Sequence, residues 1–355
     1  MPSPLTYLTE GTRIFLNGMK RRVKHDTYEG NAKEICLQIV AECWNGQYFQ
    51  TSVNNFPQFW TRDFGWCAES LTKLGFEKEV HKTITYALSI FSRYKKTFTT
   101  ITPSGKPYDF PNESVDSLPW LIHAIAVSNY NFEPYTYFLE KEISRYMNQI
   151  IDRTSGLVRS DKQFSSMKDF SIRESSCYDN SMIALLKKDL QVLKLKNPFK
   201  WDYQELLIKT FWNGMYFYDD LNHTHYLAGD AQVFPFLTIN DSEKLKLVIH
   251  HIKENNLDQP FPLKYTKKRT KYIPQEIFLR NYESHAIWTH MGPIYMKLVK
   301  EVNPQLFTFY HQQYTQMIEK HKNYLEVFTK DGKPYQSPFY YCDSGMLWAA
   351  NYLTL

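Results

Sequence analysis

The chain has 355 residues, a net charge of +5 and 43% apolar residues, enough for one large core or two smaller ones. The charge is spread along the chain and nothing resembles a nucleic-acid module, so nucleic acid is not an expected partner. The cysteines, Cys36, Cys43, Cys67, Cys177 and Cys342, are odd in number and lack C-x-x-C spacing, which argues against a disulfide framework and structural zinc.

Free thiols suit a reducing cytosol, so a cytoplasmic location is expected. The start, MPSPLTYLTEGTRIF, lacks a charged and then apolar leader, and no run of about 18 apolar residues offers a membrane span. Tyr and Phe number 26 and 24. Sugar-binding clefts use such rings, but an AT-rich genome also inflates both counts.

Helical periodicity dominates. Helices are predicted over 31–44, 62–74, 77–94, 114–127, 133–151, 179–193, 202–211, 230–237, 242–254, 284–300, 304–324 and 343–353. Short strands are expected at 156–159 and 214–218. The basic run KYTKKRTK, Lys264 to Lys271, reads as a solvated loop. No alternation of strands and helices points to a βαβ architecture.

A loose repeat organises these helices. At intervals of roughly 50–60 residues, a loop delivers a polar residue to an apolar helix: Asp63, Asp116, Asp179, Asp230, His285 and Asp343. An aspartate there is ordinarily an N-cap. The loops also carry Trp and Tyr, which a cap does not need. Six returns predict six helical hairpins closed in a ring, an all-α (α/α)6 toroid. One catalytic domain is expected over 1–355, with 1–28 as an N-terminal extension. Inner-helix N-termini would gather on one face, where N–H groups and the helix dipole favour hydroxyl-rich or anionic ligands.

Four segments carry candidate chemistry. In NNFPQFWTRDFGW, Trp60 offers an apolar face, and Arg62 with Asp63 offers paired donors and acceptors for adjacent sugar hydroxyls. RESSCYDNSM places Asp179 at the foot of a helix, with Glu174 nearby. NYESHAIWTHMGPIY holds Tyr282, His285, Trp288 and His290, and YLEVFTKDGKPY holds Glu326 before a turn. Asp116 and Asp230 are placed at the pocket wall. Trp66 and Trp120 read as core.

These segments, in this order, resemble the six-hairpin glycosidases: glycoside hydrolase family 63, trehalases, neutral invertases and glucoamylases. FWTRDF is similar to their Trp-x-Arg-Asp segment, and RESSCYDNS to the Glu-Ser-Gly-Trp-Asp segment that ends in the general acid. The resemblance implies Asp179 as acid, Glu326 as base, and Trp60, Arg62, Asp63, Tyr282 and Trp288 around the sugar. It also implies inversion, in which two carboxyls about 6.5–9.5 Å apart leave room for the attacking water. Glu319 is the rival base, and Glu174 a partner that holds the acid loop. The chain departs from the pattern at Cys177-Tyr178, where the relatives have Gly-Trp, and at Ser284 or His285, where they have Gly.

The expected activity is inverting exo-hydrolysis of a small α-glucoside, a disaccharide or glucosyl conjugate, with no metal or organic cofactor. The partner is a small carbohydrate, not a membrane, and a homo-oligomer stays open. Two alternatives remain. One is another enzyme on the same ring, such as an unsaturated-uronyl hydrolase or sugar epimerase, signalled by His285 and His290 facing each other with Glu326 outside. The other is a catalytically silent sugar-binding protein.

Overall fold

The computed structural model describes residues 4–24 and 26–355; residues 1–3 and His25, in the expected N-terminal extension, lie outside the described residues. Helices α1 (Pro4–Val23), α2 (Ala32–Glu42), α3 (Thr61–Lys73), α4 (Glu77–Tyr94), α5 (Ser117–Val127), α6 (Thr136–Ile150) and α7 (Cys177–Val192) fill the first half. Helices α8 (Tyr203–Phe211), α9 (Gly229–Val233), α10 (Ser242–Glu254), α11 (Met291–Val302), α12 (Pro304–His321) and α13 (Ala349–Leu353) follow.

The odd-numbered helices from α3 onward form the inner ring. Helix α3 packs on α5, α5 on α7, α7 on α9, α9 on α11, α11 on α13, and α13 returns to α3. Composition dictates the positions. Helix α5, SLPWLIHAIAV, has no charged residue and is buried along most of its length, as a helix that is apolar all round must be. Outer helices such as α4 and α10 bury one stripe only. Gly65 lets α3 and α5 approach: a Cβ there would lie 2.4 Å from Cβ of Trp120. Asn31 opens α2 with a reciprocal capping box to Glu34.

Strands are short. β1 (Phe59–Trp60), β2 (Thr100–Ile101) and β3 (Pro107–Tyr108) form an antiparallel sheet at the first loop. β4 (Ile287–Trp288) pairs antiparallel with β5 (Val327–Phe328), setting Trp288 opposite Val327. The strands expected at 156–159 and 214–218 are reduced to single bridges, Ile151 to Val158 and Trp212 to Phe217.

Three expectations need correction. The segment before Met291 is loop and strand, so His285 does not begin a helix, and His290 stands at the α11 N-cap position. Asp343 precedes α13 by a loop. The N-terminal extension is a twenty-residue helix, α1. Periodicity missed it because, among its described side chains, Ile14 packs inward beside polar Asn17 and Arg21 while Phe15, Leu16, Met19 and Val23 stay exposed.

Candidate active site

A cavity of about 200 Å³ opens at the N-terminal ends of α3, α11 and α13, lined by Trp60, Arg62, Asp63, Trp288, Glu326 and Trp348 among others. That volume is below the roughly 300–1,000 Å³ of drug-sized pockets.

Glu326 is the most tightly held carboxylate in it. The β4–β5 ribbon fixes its backbone one residue from Val327, opposite Trp288. Tyr282 Oη donates to Oε1, Tyr340 Oη donates to Oε2, and the Asp343 backbone N–H donates to Oε2 at 2.9 Å. Burial, then the Asp343 charge, pushes its pKa up to about 7 against those donors. Glu319, the rival base, lies elsewhere and accepts the Ala32 N–H that begins α2.

Arg62 and Asp63 sit in the first turn of α3. Arg62 makes a bidentate pair with buried Asp116, and its Nη2 lies 3.6 Å from Asp169 Oδ1. Burial opposes its charge, but Asp116 and Asp169 hold the guanidinium pKa well above the usual value. Asp63 accepts the Trp348 indole N–H at 2.9 Å, and burial raises its pKa to about 6.

Trp66, expected in the core, lines the cavity with its ring stacked on His290, centroids 4.4 Å apart and planes 9° apart. Burial and then Arg62 keep the His290 pKa well below its usual value, so the ring is neutral. Trp120 is core, as expected, donating to Tyr178 Oη. Trp60 Nε1, Trp66 Nε1, His290 Nδ1 and Asp169 Oδ1 are buried without hydrogen-bond partners. Such atoms cost free energy unless a ligand engages them.

Asp179 is not brought to this cavity. Ser176 caps α7 by accepting the Asp179 N–H at 3.1 Å, and Asp179 lines a separate cavity of about 10 Å³ with Ser166, Ser171 and Arg173. Segment 163–173 forms the wall between them: Met167, Asp169 and Phe170 face the large cavity, while Gln163, Phe164, Ser166, Ser171 and Arg173 face the small one. Burial raises the Asp179 pKa to about 7, against the opposing charge of Arg173.

Other expected residues lie behind the wall. Asp230 is fully buried, paired with Lys168 at 2.9 Å and Arg173 at 2.8 Å. Asp116 backs Arg62 and accepts from Tyr178 Oη. Glu174 is exposed, and its backbone N–H rather than its carboxylate holds the loop, donating to Asp220. His285 is half-buried outside the cavity, its pKa lowered by burial and then by Lys330 and Lys264. Histidines facing each other with Glu326 outside are therefore not what this chain presents.

The sequence reading missed Asp169 and Glu283. Both Glu283 oxygens accept the Phe170 N–H, at 3.1 and 2.9 Å. Burial, followed by Asp169, raises the Glu283 pKa to about 8, and burial raises that of Asp169 to about 7. Glu283 had one cue, its place beside Tyr282. Asp169 had none.

No family model and no curated protein matches the sequence. Solved structures do match in fold. A glycosidase with a glutamate-to-alanine substitution aligns at TM-score 0.66 and 10% identity over 97% of this chain and 96% of that one. The family 63 mannosylglycerate hydrolase of Thermus thermophilus, in complex with Tris, aligns at 0.60 and 9% over 91% and 98%. A rhamnosidase from Klebsiella oxytoca with rhamnose bound aligns at 0.64 and 8%; the match covers 93% of this chain but 65% of that one. With the ring closed by α13 on α3, the chain has the (α/α)6 toroid fold of the six-hairpin glycosidases.

Proposed function

We propose that the chain is an inverting exo-glycoside hydrolase acting on a small α-glucoside, with Glu326 as the general base. The observation that carries this reading is the Glu326 cradle: one carboxylate fixed by two tyrosine hydroxyls and a backbone N–H, facing an aromatic cavity with room for little more than one sugar ring. A carboxylate so held can take a proton from water as that water attacks the anomeric carbon. Asp63 and Arg62 bond the ring hydroxyls, and Trp60, Trp288 and Trp348 supply apolar faces.

The acid gives its proton to the leaving oxygen. The glycosidase resemblance assigns it to Asp179, which meets the sugar only if segment 163–173 withdraws. A specific observation supports a second assignment, Asp169: it shares the cavity with Glu326, its side chain is 18% exposed there, and its raised pKa keeps a proton available near neutrality.

The test is glucose release from trehalose, sucrose, maltose, kojibiose, nigerose and glucosylglycerate, with mannose release from mannosylglycerate and rhamnose release from an aryl rhamnoside measured beside it. Wild type is compared with Glu326→Gln, Asp179→Asn and Asp169→Asn. Loss of about a hundredfold or more in Glu326→Gln and in one aspartate variant supports the reading and identifies the acid. Sugar binding without turnover in wild type overturns it in favour of a binding protein.

A further inference from the structure

Among the described residues, every one that lines the cavity but one comes from the ring or its loops. The exception is Ile14, on α1, half-buried at the cavity wall. Helix α1 lies across the seam where the ring closes. On one side Gln58 donates to Glu10, and Asn17 donates to the Asn54 carbonyl at 3.3 Å. On the other, Arg22 donates to the Ser337 carbonyl, and Gly18 packs so close to the Tyr341 backbone that an added Cβ would lie 3.3 Å from its nitrogen.

A further anchor is buried. Arg21 pairs with Asp343, and both side chains are almost wholly enclosed. Asp343 also accepts from Ser52 Oγ and from the Asn55 N–H. Through its own backbone, Asp343 donates to the Glu326 carboxylate at 2.9 Å and accepts the Glu326 N–H at 2.9 Å. A cation on α1 is thus two contacts from the proposed base.

We infer that α1 is a working part of the active site: Ile14 closes the cavity against the leaving group, and Arg21 is a positioning residue that neutralises Asp343 beside Glu326. This rests on the reading of the site as a glycosidase. Beside Asp343, the groups that act on or feel the Glu326 charge include Tyr282, Tyr335, Tyr340 and Cys342, none of them cationic. Without Arg21, the buried Asp343 charge acts on Glu326 unopposed and favours its protonated form. Among its described side chains the anchors of α1 are mostly polar, and Phe15, Leu16, Met19 and Val23 are exposed, so that part of the helix is tied down by Ile14 and polar contacts.

The experiment uses the full chain. Ile14→Ala should raise KM for the best disaccharide or conjugate about fivefold or more, but that for α-glucosyl fluoride, whose leaving group is one atom, less than twofold. Arg21→Met should move the acidic limb of the kcat profile up by about one pH unit, losing about tenfold at pH 6 and little at pH 8, with Arg21→Lys restoring most of it. Leu16→Ser, on the outward face, serves as the control. Hydrogen exchange of the α1 amides should slow when glucose fills the cavity. Equal changes on both substrates, or a pH-independent loss in Arg21→Met, would overturn the role of α1 while leaving the hydrolase reading intact. No turnover and no glucose-dependent protection anywhere would overturn both. Turnover failing while glucose still protects α1 would sink only the hydrolase reading and keep the closure.

Discussion

Asp63 and Trp348 meet across the seam of the ring: the indole Nε1 donates to Oδ1 at 2.9 Å, although 285 positions separate them. The bond joins the first inner helix to the last loop and fixes one carboxylate oxygen; in the proposed site the other meets a sugar hydroxyl. Trp348→Phe keeps the ring face and removes the donor. A hydrogen bond to a charged group contributes about 1.5–3 kcal/mol, so KM should rise about tenfold or more with a smaller change in kcat. Steady-state kinetics on the best substrate checks this; an unchanged KM would mean that Asp63 does not bind substrate.

The pH profile should be a narrow bell. Glu326, raised to about 7 by burial, must be ionised to act as base, so activity falls as pH drops below about 7. The acid, Asp179 or Asp169, is likewise raised to about 7 and must be protonated, so activity falls above it. Tyr340→Phe removes a donor that favours the Glu326 carboxylate and should move the acidic limb upward. The measurement is kcat/KM from pH 4.5 to 9; a broad plateau would remove the carboxyl pair.

Stability should decline with rising pH through the same range. The Glu283 carboxyl is raised to about 8 by burial and by Asp169, whereas in the unfolded chain it titrates near 4. Between these values unfolding releases a proton, so its contribution is complete below about 4 and is lost as pH rises through about 8. Asp169, Asp179 and Glu326 add in the same direction. Asp219 and Glu113, whose pKa values are lowered, act in the opposite sense at lower pH, and His290, held neutral by burial, opposes the trend below its unfolded value of about 6.5, one group against four carboxyls. Tm should fall from pH 5 to pH 8, and Glu283→Gln should flatten the slope. A Tm that rises across that window contradicts the buried, protonated carboxyls.

Lys168 ties the wall segment to the ring. It and Arg173 face Asp219 and Asp230, all buried. Lys168→Met leaves two carboxylates with one cation, and breaking a buried pair from one side costs about 3–5 kcal/mol. Chemical denaturation measures it; a loss below about 1 kcal/mol would show that the cluster is hydrated.

Gly65→Ala tests the inner-ring contact. The new methyl meets Trp120, which belongs to the core and cannot move aside cheaply. Overpacking of this kind costs about 1–3 kcal/mol, seen as a lower denaturation midpoint with an unchanged slope.

The sequence by itself determined the helical hairpins, because the period of apolar residues and the caps are local properties. The bounds of α4 and α10 fall where periodicity and stop signals put them. It also determined which loops carry Trp60, Arg62, Asp63, Tyr282, Trp288 and Glu326, and all six line one cavity. Tertiary structure alone decided the remainder. Asp179 has the cue of an acid, yet segment 163–173 stands between it and the cavity, and no local pattern reports what packs against a helix end. Asp169 and Glu283 become notable only because the ring buries them together. Helix α1 docks through hydrogen bonds to residues 37 to 322 positions away, and contacts of that span leave no periodic trace in the chain.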